Sequence, residues 1–304
     1  MEHRHDGPVT HLSWLEAGVV GAFQGVSELF PVSSLGHSVL IPAIVGGSWQ
    51  RDLDVRSPES PYLAFIVGLH VATALALIIY FRRDWALLMR GLYTSVRHRR
   101  IREPEERLIW LLILATIPVG IAGLLLEHTF RTHLATPTLT AIFLIVNGVL
   151  LELSQRLQRR RPQTLDDTEV DVALSQRPVG QSVLVGAAQV AALAPGISRS
   201  GITMAAGVTA GWGNQQAARF SFLLATPVIL AAGVLKVPDL FGPLGDGIRG
   251  QVLFGSVLSG IGAYVAVRFL DRWFANRTLR PYALYCVVAG IVALVLVRAG
   301  VTIL

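Results

Sequence analysis

The chain has 304 residues, 52% of them hydrophobic and only 15% charged, with a formal net charge of +6. A mean hydropathy of +0.55, with apolar residues in runs rather than at an amphipathic period, excludes an ordinary soluble domain and points to a polytopic membrane protein. The positive balance does not read as a nucleic-acid footprint, because nearly all of it is arginine in segments beside apolar runs.

In chain order, the opening MEHRHDGPVTHLSW has no basic leader followed by a cleavable apolar core, so no signal peptide is expected. His3, His5 and His11 resemble a metal site by composition only and read as a solvated tail. Two short apolar stretches follow, 14–30 and 34–46, broken at Pro31-Val-Ser-Ser. Neither is comfortably long enough to cross a hydrocarbon core of ~30 Å. The pair predicts a re-entrant hairpin, since non-helical backbone at membrane depth survives only where protein or a wet cavity satisfies it. Runs at 62–81, 108–126 and 136–153 are each close to the length of one span. The order then repeats, with a pair at 180–194 and 201–212 broken at Pro195-Gly-Ile-Ser, and runs at 216–235, 251–267 and 281–297. Cys286, in the last run, is the only cysteine, which excludes an intrachain disulfide and a cysteine-based metal cage. Lys236 is the only lysine and no Gly-rich lysine loop occurs, so nucleotide-driven pumping has no support.

A shift of 165 residues superimposes Gly21 on Gly186, Gln24 on Gln189, Ser33 on Ser198 and Gly36 on Gly201. The chain therefore reads as one membrane domain, 1–304, holding two repeats at about 14–155 and 179–300. Loops 82–107, 154–178 and 271–280 carry eight, five and three arginines, against four across 47–61, 127–135 and 237–250. With basic loops cytoplasmic, both termini lie outside. Each repeat contributes a hairpin, which returns to its starting side, and three spans; three is odd, so the second repeat is inverted. The expected fold is all-α: an inverted repeat of two halves, each a re-entrant helical hairpin plus three transmembrane helices, with the broken tips meeting near the midplane. Gly255, Ser259 and Ala263, at four-residue spacing, offer a close helix contact, although such a stripe is more often ordinary packing.

The breaks carry groups that apolar sequence rarely holds. An Arg or Asp at mid-membrane costs roughly 2.5 to 3.5 kcal/mol even on the insertion scale, so Glu28, His37 and Arg199 mark a site. Arg199 offers a planar fork suited to phosphate oxygens, and the half-helices beginning near Ser34 and Gly201 point positive ends at the same spot. Gln24 and Glu28, four apart, share a helix face where an oxygen pair can bind a divalent cation. Ser34 and His37 are three apart, which suggests an imidazole taking a hydroxyl proton. Ser198 and Ser200 either hold phosphate or cap the half-helix. Gln24 and Gln189 can equally be polar glue between helices. His70, in LHVATALALIIYF, reads mainly as a core histidine, and Glu16 and Glu127 lie near helix ends and are set aside.

QGVSELFPVSSLGH and PGISRSG resemble the two signature segments of the undecaprenyl diphosphate phosphatase family, also called the bacitracin-resistance protein family. The likeness covers nearly the whole chain, including FSFLLATPVILAAG at 220–233. It implies dephosphorylation of a C55 isoprenyl diphosphate to the monophosphate, which recycles the lipid carrier of cell-wall synthesis in the bacterial inner membrane. The family's acidic pair falls on Gln24 and Glu28, its proposed nucleophile on Ser34, its histidine on His37, and its phosphate-binding arginine on Arg199 with Ser198 beside it. Ser33 and Ser200 are the further phosphate contacts. The resemblance implies a divalent cation, Mg2+ or Ca2+, near Gln24 and Glu28, and membrane lipid as surroundings. A homodimer is one arrangement left open. Two departures stand out: Gln24 supplies one less negative charge than the Glu form, and Leu35 stands where a small or hydroxylated residue is common. The competing reading is a transporter or flippase of a phosphorylated isoprenoid lipid, which would use Arg199 but has little use for a serine, histidine and glutamate together.

Overall fold

A computed structural model describes residues 12–53, 61–158, 165–242 and 247–303; His3, His5, His11, Arg56 and Arg159 to Arg161 lie outside them. All regular structure among the described residues is helical. The first broken pair is α1 (Trp14–Leu29) and α2 (Ser34–Val45), followed by a short α3 (Gly47–Asp52). Then come α4 (Pro61–Tyr80), α5 (Arg82–His98), α6 (Pro104–Leu134), α7 (Pro137–Leu157) and α8 (Asp167–Ser175). The second broken pair is α9 (Val179–Ala187), continued by a 3-10 turn (Ala188–Leu193), and α10 (Arg199–Thr209). The chain ends on α11 (Asn214–Phe241), α12 (Arg249–Asn276) and α13 (Arg280–Arg298).

Among the described residues five segments are long and apolar enough to cross a membrane: Pro104–Leu126, Pro137–Leu157, Asn214–Gly233, Arg249–Asn276 and Arg280–Arg298. The sixth expected span, α4, meets that standard only together with α5, from which it is bent by 85°. The protein is therefore a multi-pass membrane protein by length and composition. The basic stretch after residue 81 departs from the loop expected there, because Leu88, Gly91 and Ser95 recur at helical spacing and bury one face while the arginines stay outside. Likewise α8 forms inside the expected 154–178 loop, started by a reciprocal cap between Asp166 and Glu169. Helix α6 runs on to Leu134, beyond the apolar run that ended at residue 126.

α1 lies along α12, α12 along α4, α4 along α11, and α7 along α13. Gly255, Ser259 and Ala263 are buried, and the stripe's partner is α1, where a Cβ on Gly21 or Gly25 would overlap the carbonyl oxygens of Gly255 and Ser259. Such close backbone approach is the usual basis of helix contact in lipid. Glu16 completes a capping box with Ser13 and so starts α1, and it is buried rather than reached by headgroup water.

Among the described residues one buried arginine lies outside the broken tips. Arg219 of α11 is 1% exposed and pairs with Asp84 of α5 at 2.6 Å, Asp171 of α8 at 2.6 Å and Asp167 at 3.4 Å. It ties the central helix to the two short amphipathic ones. Removing one partner of a buried pair leaves the other charge uncompensated, so Arg219→Gln is expected to cost about 3 kcal/mol. Thermal unfolding in detergent should show a lowered midpoint; an unchanged midpoint would mean that water already screens the cluster.

Candidate active site

The two tips are stitched together at the level of single atoms. Ser33, at the N-terminal cap of α2, has a backbone φ of 67°, a left-handed conformation that a non-glycine residue holds at a cost of roughly 1 to 3 kcal/mol. Its hydroxyl accepts from the backbone N–H of Gly36 at 3.1 Å and of Gly196 at 3.2 Å, and donates to the carbonyl of Ile197 at 3.2 Å. Ser198 caps α10 by accepting from Gly201 N–H, and the hydroxyls of Ser198 and Ser200 reach the carbonyl of Phe30 at 3.4 and 3.1 Å. Asn147 of α7 closes the joint, accepting from Ser198 N–H at 3.0 Å and donating to the Pro31 carbonyl at 3.1 Å. Gly196, at φ 110°, lies so near the backbone of Thr140 and Leu144 that no side chain fits.

A cavity of about 230 Å3 opens at this joint. Glu28 sits in its floor and gathers the polar groups. Its Oε1 accepts from Arg199 Nη2 at 3.0 Å, and its Oε2 accepts from Ser34 Oγ at 2.5 Å and Gln24 Nε2 at 3.0 Å. His70 Nε2 stands 3.4 Å from the same oxygen and 3.3 Å from Gln24 Nε2. Arg199 thus spends one of its five donors on Glu28 and keeps the rest of the fork for another anion. Ser34 and Arg199 are the first residues of α2 and α10, so two helix N-termini converge on the cavity. Its walls are apolar, with Leu35, Val119, Leu193, Val228 and Ile229. An anionic head can therefore enter a polar floor while an apolar tail leaves along the walls.

The structure brings together Gln24, Glu28, Ser34 and Arg199, with Ser33 and Ser198 also lining the cavity. Ser200 lies outside the lining and serves the tip joint. His37 is a correction: the expected pairing with Ser34 does not form. Its Nδ1 lies 2.7 Å from the Ser33 carbonyl, which can only accept, so Nδ1 carries the proton and Nε2 accepts from the Tyr285 hydroxyl at 2.8 Å. The helical turn that sets Ser34 toward Glu28 turns His37 toward α13, where its ring stacks on Tyr285. The acceptor within reach of the Ser34 proton is Glu28. Tyr285→Phe removes only that outer bond and should leave turnover within about threefold, at a stability cost of about 1 kcal/mol. A loss of activity beyond tenfold in that variant would return His37 to the chemistry.

Sequence reasoning undervalued His70 and missed Asn147. Asn147 was an amide within an apolar span, a recognisable sign of interhelical bonding. For His70 the signal was absent, since nothing in its local run says that it faces Glu28. Gln189 also lines the cavity; its Nε2 donates to the Gly186 carbonyl, whereas its buried Oε1 has no partner among the described residues. That orphaned oxygen and the Glu28 carboxylate are hard-oxygen donors in the cavity lining, of the kind a divalent cation takes once a diphosphate adds its own oxygens; Gln24 donates its amide nitrogen to Glu28, so its oxygen joins them only when the amide turns over. Among the described residues no cluster of three His, Cys, Asp or Glu could hold a metal alone.

A family model described as "Bacitracin resistance protein BacA" matches residues 17–292. The chain is 59% identical over 297 residues to the undecaprenyl-diphosphatase of Mycolicibacterium paratuberculosis, covering 94% of this chain and 97% of the relative. It is 48% identical over 372 residues to undecaprenyl-diphosphatase 1 of Frankia casuarinae, covering 96% and 100%. To undecaprenyl-diphosphatase 2 of Burkholderia lata it is 45% identical over 276 residues, covering 90% and 94%. The match spans both tips and every residue of the cavity, and the chain belongs to the bacitracin resistance protein BacA family.

Proposed function

We propose that this chain hydrolyses undecaprenyl diphosphate to the monophosphate and inorganic phosphate, which returns the lipid carrier to peptidoglycan synthesis and gives resistance to bacitracin. The observation that carries the reading is the contact of one carboxylate, Glu28, with both a hydroxyl and a guanidinium in a cavity with apolar walls. Arg199 and the two helix N-termini hold the terminal phosphate and offset the charge that grows on its oxygens. The Ser34 oxygen attacks the terminal phosphorus as its proton passes to Glu28. The bond from that phosphorus to the bridging oxygen breaks, and the isoprenyl monophosphate leaves with the bridging oxygen. Glu28 gives that proton up to the departing monophosphate; water then attacks the phosphoserine, its proton passes to Glu28, and Glu28 hands it to the Ser34 oxygen, which departs as a hydroxyl. A divalent cation, Mg2+ or Ca2+, would be held by Glu28 and Gln24 with Gln189 beside them; when bound it supplies neutralisation of diphosphate charge.

The arginine distribution supports an inner-membrane protein with both termini on the outer face. The repeated hairpin-plus-three-span order supports inverted repeats at about 14–155 and 179–300.

Phosphate release from undecaprenyl diphosphate by purified protein, with and without chelator, tests this reading. Release that stops with chelator and returns with Mg2+ or Ca2+ is expected. Glu28→Gln should lower turnover and raise the cation concentration needed by about tenfold or more, since Glu28 is the only carboxylate among the described residues that line the cavity. A variant with unchanged cation dependence would move the metal away from Glu28.

A further inference from the structure

A second groove shares no lining residue with the cavity at Ser34 and Glu28. It measures about 680 Å3 and runs along the C-terminal half of α12, where Tyr264, Arg268, Phe269, Arg272, Trp273 and Arg277 line it. Arg268 and Arg272 are exposed and four residues apart, so the two like charges share one helix face and repel. No ion pair or hydrogen bond is made by either side chain among the described residues. The one acidic residue of α12, Asp271, is turned away and accepts from the Tyr80 hydroxyl at 2.8 Å. Arg277 lies over the Trp273 ring at 5.8 Å, which places a cation and an indole together at the helix end. N-terminal to it Leu253, Val257, Ile261, Val265 and Phe269 are all exposed at four-residue steps. Each step turns about 40° further round the helix, so they form an oblique apolar rail about 24 Å long at the helical rise.

An apolar rail that ends in uncompensated arginines beside a tryptophan has the charge and shape of an anionic lipid: acyl chains along the rail, phosphate between the guanidinium forks. We infer that this groove is a binding site for an anionic phospholipid, with Arg268 and Arg272 holding the headgroup phosphate and Trp273 and Arg277 bordering it. The groove also touches the active tip. Phe269 stacks on Phe30 at 5.9 Å and 7°, and Phe30 supplies the carbonyl that receives Ser198 and Ser200. A bound chain along Phe269 therefore presses on the residue that fixes the joint between the tips.

The inference rests on the membrane-spanning character of α12 and not on the hydrolase reading, and its test reads lipid, not turnover. The full chain is purified in detergent, delipidated and titrated with phosphatidylglycerol or phosphatidylcholine while lipid adducts are counted by native mass spectrometry. Wild type should retain phosphatidylglycerol in preference to phosphatidylcholine. The double variant Arg268→Gln/Arg272→Gln should bind phosphatidylglycerol about twenty-five-fold more weakly, about fivefold for each arginine lost. The exposed pair Arg90→Gln/Arg100→Gln is the control and should bind as wild type does. Equal retention of the two lipids by wild type would overturn the inference, and this arm needs no variant to fold. Equal weakening in both double variants would overturn it as general surface charge. Preference for an isoprenyl monophosphate with no retention of phosphatidylglycerol would overturn it by assigning the groove to product.

Discussion

Ser34→Ala abolishes turnover, by a factor on the order of 10⁴ or more, because a lost nucleophile removes a whole chemical step rather than one contact. The same variant is expected to keep isoprenyl diphosphate affinity within about threefold, since Arg199 and the helix termini still hold the phosphates. Ser34 is the hydroxyl placed on Glu28, whereas Ser33 is occupied on both sides of the joint. Ser33→Ala should therefore appear as lost stability, about 1 to 3 kcal/mol for a buried hydroxyl with several partners, with turnover per folded molecule largely kept. Initial rates and equilibrium binding on the same preparations separate the two effects. Retained activity in Ser34→Ala beside an inactive but folded Ser33→Ala would move the nucleophile by one residue.

Arg199→Lys lowers kcat by a factor on the order of 10³ while the protein still folds. The lysine keeps the charge that compensates Glu28, so the buried carboxylate retains a partner and the tips stay closed. It loses the planar fork, and with it the ability to hold Glu28 and a phosphate oxygen at once. The effect should appear in kcat more than in the unfolding midpoint, and equal damage to both would make Arg199 a structural residue.

Much of this site was legible before any coordinates, and the reason is the membrane. In an aqueous domain Glu28 and Arg199 would be unremarkable surface charges; within apolar runs each needs a partner, and the two breaks were the places to find one. Secondary structure followed from run length, and the hairpin bounds at 14–30 and 34–46 fall within a residue of α1 and α2. What local sequence could not supply was direction. Ser34 and His37 are three apart on one helix, which suggested contact, but the capped first turn at Ser33 sends Ser34 to Glu28 and His37 to Tyr285. His70 reaches Glu28 across 42 residues of chain, a proximity that only packing of α4 beside α1 creates. The Arg219 cluster was invisible for a related reason. Its aspartates lie in segments that read as basic loops, and their pairing depends on α5 folding back at 85°.

The most direct measurement follows the terminal phosphorus itself. Purified protein is mixed with undecaprenyl diphosphate labelled at that phosphorus and quenched in acid over successive times. The account predicts label on the Ser34 peptide before it accumulates as free phosphate, and none on the peptide in Ser34→Ala. Release of free phosphate at full rate with no label on the protein at any time, or label on a residue outside the tip cavity, would contradict it.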